Sequence, residues 1–319
     1  MKRYIAGAIA LLASALFAHA QEWPAKPVRI IVPFAAGATP DLVARILAER
    51  LQEQLGQTFV VENKPGASGN AGTDTVAKAA PDGATIGVSI GGPLAINTLL
   101  FAHLPYDPRK DLTLITTLVT QPSALAVNAS LGVNSVPALI GLIRRNPGKY
   151  NFGSIGTGSL SQLAMEAIAL KSGTRLVHVP YASSPQAVTA LIRNEVQMVC
   201  LPAISITPQL GDGVINLLAV TTAKRSPLLP DAPTLKESGI DVQADAWMGL
   251  IAPAGVSGPV VERINHAVSE AITSPAVRQK LFAQLMEPIP GTPAEFRARI
   301  DADIARWRPV INAAKIKVE

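Results

Sequence analysis

From Val28 onward, short runs of β-branched and aliphatic residues alternate with longer segments of helical period. That alternation restricts the chain to an α/β architecture built on buried strands. Val28-Arg29-Ile30-Ile31-Val32 reads as the first strand. In Thr39-Pro40-Asp41 a hydroxyl N-cap, a proline at the first helical position and a first-turn acid open a helix. Its apolar residues Val43, Leu47 and Leu51 lie four apart, and Gly56 ends it. Phe59-Val60-Val61 is the next strand, followed by a glycine-rich loop at 63–72. A helix near 73–79, the turn Pro81-Asp82-Gly83 and a strand at 85–89 complete the unit.

The theme then recurs. Strands are expected at 123–128, 151–154, 176–180, 196–201 and 215–221, with helices at 135–146, 160–171 and 186–193. Residues 226–239 carry three prolines and read as a connector. In the tail, Phe296, Ile300, Ile304, Trp307 and Ile311 form one apolar helical stripe. Two similar α/β halves, with a C-terminal portion able to return to the first, predict a two-lobed clamshell. Each lobe would be a mainly parallel sheet flanked by helices. Lobe one is expected at 21–122 and 246–319, and lobe two at 123–245, including a connector at 223–245. The chain would cross between them near 120–123 and 222–245.

The start of the chain sets the compartment. Lys2 and Arg3 precede an apolar run at 5–17, and Ala18-His19-Ala20 supplies a small-x-small cleavage signal. The run is shorter than the ~20 residues that span a bilayer. Residues 1–20 therefore read as a secretory leader cleaved after Ala20, and the mature protein as periplasmic. Cys200 is the single cysteine and can form no disulfide within the chain. Net charge is +5, from 28 basic and 23 acidic residues, and loss of Lys2 and Arg3 lowers it to +3. These charges are scattered and aromatics make up only 4% of the chain, so the basic stripe with stacking rings that nucleic acid needs is missing. Four histidines and one cysteine offer no metal-ligand spacing, and no cofactor is expected.

Ligands of such sheets sit outside the carboxyl ends of the strands. Three loops there share a small, hydroxylated, glycine-bearing composition and each opens a helix. Phe34, Ala36, Gly37 and Thr39 belong to the first, Gly91 and Gly92 to the second, and Thr157, Gly158 and Ser159 to the third. Small side chains let a ligand reach the backbone, and helix N-termini point N–H groups and a positive dipole at it. Hydrogen bonds to a charged group net about 1.5–3 kcal/mol each. Micromolar affinity needs only about 8 kcal/mol, so no cationic side chain is required.

Other motifs carry weaker signals. Gly87-Val88-Ser89-Ile90-Gly91 matches a nucleophile elbow and raises a secreted esterase using Ser89, but no acid-then-histidine order suits it downstream. Gly156-Thr157-Gly158 lacks the third glycine and the acid of a dinucleotide fingerprint. His178 alternates with apolar neighbours as a structural strand residue would, and Asp41 reads as complementing the helix dipole rather than as a ligand for an amine.

Longer motifs then combine. Residues 28–37 with Asp41, Val61-Glu62-Asn63-Lys64-Pro65-Gly66-Ala67, Pro81-Asp82-Gly83, Leu104-Pro105-Tyr106-Asp107-Pro108 and His178-Val179-Pro180-Tyr181 follow in order. Ala219-Val220-Thr221, Leu229-Pro230-Asp231-Ala232-Pro233-Thr234 and Ala252-Pro253-Ala254-Gly255 continue the series. Together they resemble the Bug receptors, the solute-binding proteins of tripartite tricarboxylate transporters. The resemblance implies a clamshell related to periplasmic binding proteins, monomeric, without enzymatic activity, that captures a small carboxylate for inner-membrane transporter subunits or for a sensor protein. Departures from the family pattern fall mostly in lobe two: Gln162 in place of a histidine, Ala182-Ser183 in place of Lys-Gly, Asn194, Gln197 and Cys200, with Ala38 in lobe one. Ser183 and Cys200 join the candidate ligand residues on that ground. Mature protein recovered from the periplasm is expected to begin at Gln21. An intact mass that retains residues 1–20 or includes a lipid would contradict that processing.

Overall fold

The computed structural model describes residues 23–318, so the leader expected at 1–20 lies outside the described residues. Two sheets carry the fold. The first comprises β1 (Val28–Val32), β2 (Phe59–Asn63), β3 (Thr85–Ile90), β4 (Leu112–Gln121), β10 (Ala246–Pro253) and the short β11 (Glu287–Pro288). Its order is β11-β4-β10-β3-β1-β2. The second comprises β5 (Ser123–Asn128), β6 (Asn151–Ser154), β7 (Val177–Pro180), β8 (Met198–Pro202) and β9 (Ile215–Val220), in the order β7-β6-β8-β5-β9.

The expected α/β class stands, but the sheets are mixed rather than mainly parallel. β1 pairs in parallel with β2 and β3, whereas β10 runs antiparallel to both β3 and β4. Likewise β6 is parallel to β7 and β8, whereas β5 runs antiparallel to β8 and β9. The cause is the crossover. β4 runs straight into β5 through Pro122, and the segment after β9 leads into β10. A strand arriving from the other sheet starts at the edge where its new neighbours end, so it must oppose them. β5 and β10 are those strands, and each sits inside its sheet, where it makes two antiparallel pairings.

Helices cover the sheets. In the first, α1 (Thr39–Leu55) and α2 (Asn70–Ala77) follow β1 and β2, and a wide turn at Gly92–Ile96 runs into α3 (Asn97–Leu100). The second sheet carries α4 (Val136–Arg145), α5 (Leu160–Ser172), α6 (Ser184–Ile192) and α7 (Ala203–Ile206). After β10 come α8 (Gly258–Thr273), α9 (Pro275–Phe282) and α10 (Pro293–Ala314). The tail stripe folds as read, with Phe296, Ile300, Ile304, Trp307 and Ile311 all buried. It serves two cores. Phe296, Ile300 and Ile304 pack with Ile31, Leu94, Trp247 and Ile251 of the first sheet's layers. One turn on, Trp307, Val310 and Ile311 pack with Leu125, Phe152 and Met198 of the second.

Contact between α10 and β10 is close. A methyl group on Gly249 would run into the ring of Phe296, which also packs edge-on against Trp247 at 5.7 Å. Overpacking a filled core costs about 1–3 kcal/mol. Gly249→Ala is therefore expected to lose about that much stability, read as a lower midpoint in urea unfolding.

Candidate functional site

The carboxyl ends of β1, β3, β6 and β8 face one cavity of about 370 Å³ between the two sheets. Phe34 and Thr39 line it from the first loop, Gly91 and Gly92 from the second, and Thr157, Gly158 and Ser159 from the third. The first loop is held by Asp41. Its Oδ2 accepts from the Gly37 N–H and from Arg45 Nε, both at 2.9 Å, and its Oδ1 accepts from Asn63 Nδ2 at 2.9 Å. Burial pushes the Asp41 carboxyl up, but the donors Arg45, Gly37 and Asn63 outweigh it and hold the group below the ordinary range. Asn63 also donates to the Phe34 carbonyl at 3.0 Å, tying β2 to the loop. The cap of α1 is Ala38, one residue before the threonine that the sequence suggests, and it provides no side-chain cap. The Thr39 side chain is left to line the cavity.

The second loop rests on a buried tyrosine. Tyr106 Oη donates to the Pro93 carbonyl at 2.9 Å and meets Asn70 Oδ1 at 3.1 Å, while Asn97 Nδ2 donates to the same Oδ1 at 2.6 Å. Burial drives the Tyr106 hydroxyl upward, so it stays a donor. Gly91 abuts Trp247, whose ring would lie 3.1 Å from any Cβ placed there.

The third loop is mostly satisfied by its own side chains. Gly158 N–H donates to Gln162 Oε1 at 2.8 Å, Ile155 N–H to Ser161 Oγ at 3.0 Å and Gly156 N–H to Ser154 Oγ at 3.2 Å. Ser159 caps α5 by accepting from the Gln162 N–H at 3.4 Å. Gln162 therefore fixes the loop. Among the described residues, the N–H groups of Thr157, Leu160 and Ser161 have no partner in the chain. The N–H expected as a donor at Gly158 is thus already taken, because a side-chain amide four residues on reaches it first. His178 stacks on Phe152 at 5.0 Å and meets Ser154 Oγ at 2.6 Å; burial lowers its affinity for a proton.

Four candidates lie away from the cavity lining. Ala36 and Gly37 form the exposed tip of the first loop, and the Gly37 N–H is taken by Asp41. Ser183 starts α6 beside β7, an edge strand one place beyond those whose ends line the cavity. Cys200 is 0% exposed inside β8, packed with Leu125 and Met198, and burial pushes its thiol up to about 12. Placing Cys200 in the cleft is corrected by that geometry: both faces of the sheet are covered, so β8 reaches the cavity only through its end, at Pro202.

Sequence reading missed the floor of the cavity. Gln121 and Ser123 line it from the first crossover, and Asp245, Ala246 and Trp247 line it from the end of the second. Asp245 Oδ2 accepts from Thr120 Oγ1 at 2.7 Å and from Arg299, and its Oδ1 accepts from Gln243 Nε2 at 2.8 Å. Asp303 of α10 accepts from Trp247 Nε1 at 2.7 Å and from Arg306 Nη1 at 2.6 Å. Burial raises the Asp303 carboxyl against the pull of Trp247 and both arginines. The crossovers expected near 120–123 and 222–245 held the signal for Gln121, Ser123 and Asp245; nothing local marks Asp303. Among the described residues no group of three or more His, Cys, Asp and Glu side chains could hold a metal ion. No described helix is long and apolar enough to cross a membrane.

Two α/β units with a cavity between their strand ends, joined by two passes of the chain, define a bilobal solute-binding protein. Comparison gives the family. Residues 43–316 match the model of the tripartite tricarboxylate transporter family receptor, and the chain belongs to that family. It is 33% identical over 302 residues to Protein BugT of Bordetella pertussis, covering 94% of this chain and 93% of that one. Among solved structures it is similar to R. palustris Rpa4515 with adipate, at 35% identity and TM-score 0.80 over 93% of this chain and 99% of the other. It is also similar to MatC from Rhodopseudomonas palustris with bound malate, at 29% identity and TM-score 0.75 over 91% and 100%. The structure of periplasmic binding protein BugD matches at 30% identity and TM-score 0.75, over 93% and 100%.

Burial of Cys200 has a direct readout. A thiol reagent such as Ellman's reagent is expected to leave the native protein unmodified and to titrate one thiol in denaturant. Rapid labelling of native protein would contradict the packing of β8.

Proposed function

We propose that this receptor is periplasmic, catalyses nothing, and closes two lobes on a small carboxylate for delivery to inner-membrane transporter subunits. The observation that carries the reading is that unpartnered backbone N–H groups at the N-terminus of α5, and the side-chain-uncapped N-terminus of α1, border one cavity from opposite sheets. Helix N-termini favour anions through their N–H groups and dipole, which suits a carboxylate without a lysine or arginine. Adipate and malate in the two R. palustris relatives agree with that class of ligand. Phe34, Thr39, Gly91, Gly92, Thr157 and Ser159 are the contacts we assign, with lobe one at 21–122 and 246–319 and lobe two at 123–245. A role as a monomeric sensor domain for the same ligands is the second reading, separated from transport by which membrane protein co-purifies.

Catalysis by Ser89 is disfavoured by its setting. Ser89 lies inside β3 opposite Gly249, 1% exposed, with its hydroxyl 3.4 Å from Thr73 Oγ1. A nucleophile elbow needs an exposed hydroxyl on a tight turn beside a histidine.

The test starts with ligand. Protein purified natively is denatured and the released small molecules identified by mass spectrometry, then titrated back by calorimetry. A carboxylate binding with one-to-one stoichiometry is the expected result; ester turnover dependent on Ser89 would overturn the reading. Gly158 supplies a variant. Its φ of +77° is reached at little cost only by glycine, and an added methyl would sit 2.7 Å from Leu100 Cδ1 of α3 and 3.0 Å from Val318 Cγ2. Gly158→Ala is therefore expected to hinder closure and weaken the released carboxylate by about tenfold or more, roughly 1.4 kcal/mol. Unchanged affinity in calorimetry would place the site elsewhere.

A further inference from the structure

Charge on the cavity wall is of one sign. Among the described residues that line it there is no lysine, arginine or histidine, whereas Asp245 and Asp303 both contribute. The two acids are nearly buried, 7% and 4% exposed, and are held from behind by Arg299 and Arg306, which do not line the cavity. A carboxylate offers about four acceptor positions. Trp247 and Arg306 occupy two on Asp303, and Thr120, Arg299 and Gln243 occupy three on Asp245. Acceptor capacity is left on both, while their charge is met from behind by Arg299 and Arg306.

This wall meets the three loops unequally. Trp247, which donates to Asp303, packs against Gly91, so the second loop and the acids share one end of the cavity. Thr39 and Thr157 to Ser159 belong to loops with no acid in the lining. The lining also includes the apolar side chains of Ile96, Leu100, Phe101 and Ile155, which suit an aliphatic body. A ligand carboxylate placed at the Asp245–Asp303 end would bring acceptors to acceptors already paired with Arg299 and Arg306, and could satisfy none of them. A hydrogen-bond donor placed there would complete the acceptors.

Building on the carboxylate-receptor reading, we infer that the ligand carries a single carboxylate and, across an aliphatic body, a donor group that docks on Asp245 and Asp303. Those two residues select against a second carboxylate. The expected ligand therefore differs from the dicarboxylates in the two R. palustris relatives. The donor class is an ammonium or a hydroxyl, and the assay separates the two.

Calorimetry on the wild-type protein with two length-matched series decides it: 6-aminohexanoate, 6-hydroxyhexanoate and adipate, then 4-aminobutyrate, 4-hydroxybutyrate and succinate. The diacid in at least one series is expected to bind about tenfold or more weaker than its amino or hydroxy partner. Asp303→Asn and Asp245→Asn should narrow that gap by strengthening the diacid. If either variant fails to fold, the wild-type series decides alone. A diacid that binds as tightly as its partners in both series would overturn the inference and leave the receptor reading intact. Failure of both series and of every co-purified carboxylate to bind would overturn both.

Discussion

The chain passes between its two sheets twice, at 121–123 and through 221–245, and both passes must leave and enter at the same edge. That constraint sets the direction of the strands from β1 to β10. β1 to β4 and β6 to β9 all end at the cleft, β5 and β10 begin there, and the reversed strands pair on both sides. The loops that follow β1, β3 and β6 are thereby gathered at one cavity without any long insertion to bring them together. Helices that start there point their N-termini inward as a consequence of topology, a geometry that suits an anion.

Gathering the loops is not enough; they must also be stiff. Each is braced from within the fold: Asp41 under the first, Tyr106 with Asn70 under the second, Gln162 and Ser159 under the third. These struts use up donors that would otherwise compete for ligand or for water. They fix the remaining donors before any ligand arrives, which lowers the ordering cost of binding. Gly91 and Gly158 lie where Trp247 and Leu100 come close, so the absence of a side chain there is a packing requirement as well as an access route.

How much of this was legible follows from which signals are local. Strands 28–32, 123–128 and 151–154 were read to the residue; in the first two a buried aliphatic run with a proline at its edge is visible in isolation. β4 and β10 were not read as strands. β4 is rich in β-branched residues and its composition carried a strand signal, whereas β10 contains Gly249 and ends on Pro253. Strand direction leaves no mark on periodicity, so the mixed sheets were missed as well. Small, glycine-bearing composition found seven residues that line the cavity, since a loop that admits a ligand must be small. It could not find Asp303, which reaches the site from 56 residues beyond Trp247. Nor could it show that both faces of β8 are covered, which removes Cys200 from the cleft.

The C-terminal helix has a consequence for cooperativity. Phe296, Ile300 and Ile304 draw their burial from the first sheet's layers, and Trp307, Val310 and Ile311 draw theirs from the second's. Each large apolar side chain buried contributes about 1.5–3 kcal/mol. Neither core can lose α10 without exposing part of the other, so local opening in one lobe propagates to its partner along a single element. Two sheets with two covering layers each would otherwise be free to melt separately. Spliced by this helix, they are expected to unfold as one cooperative unit.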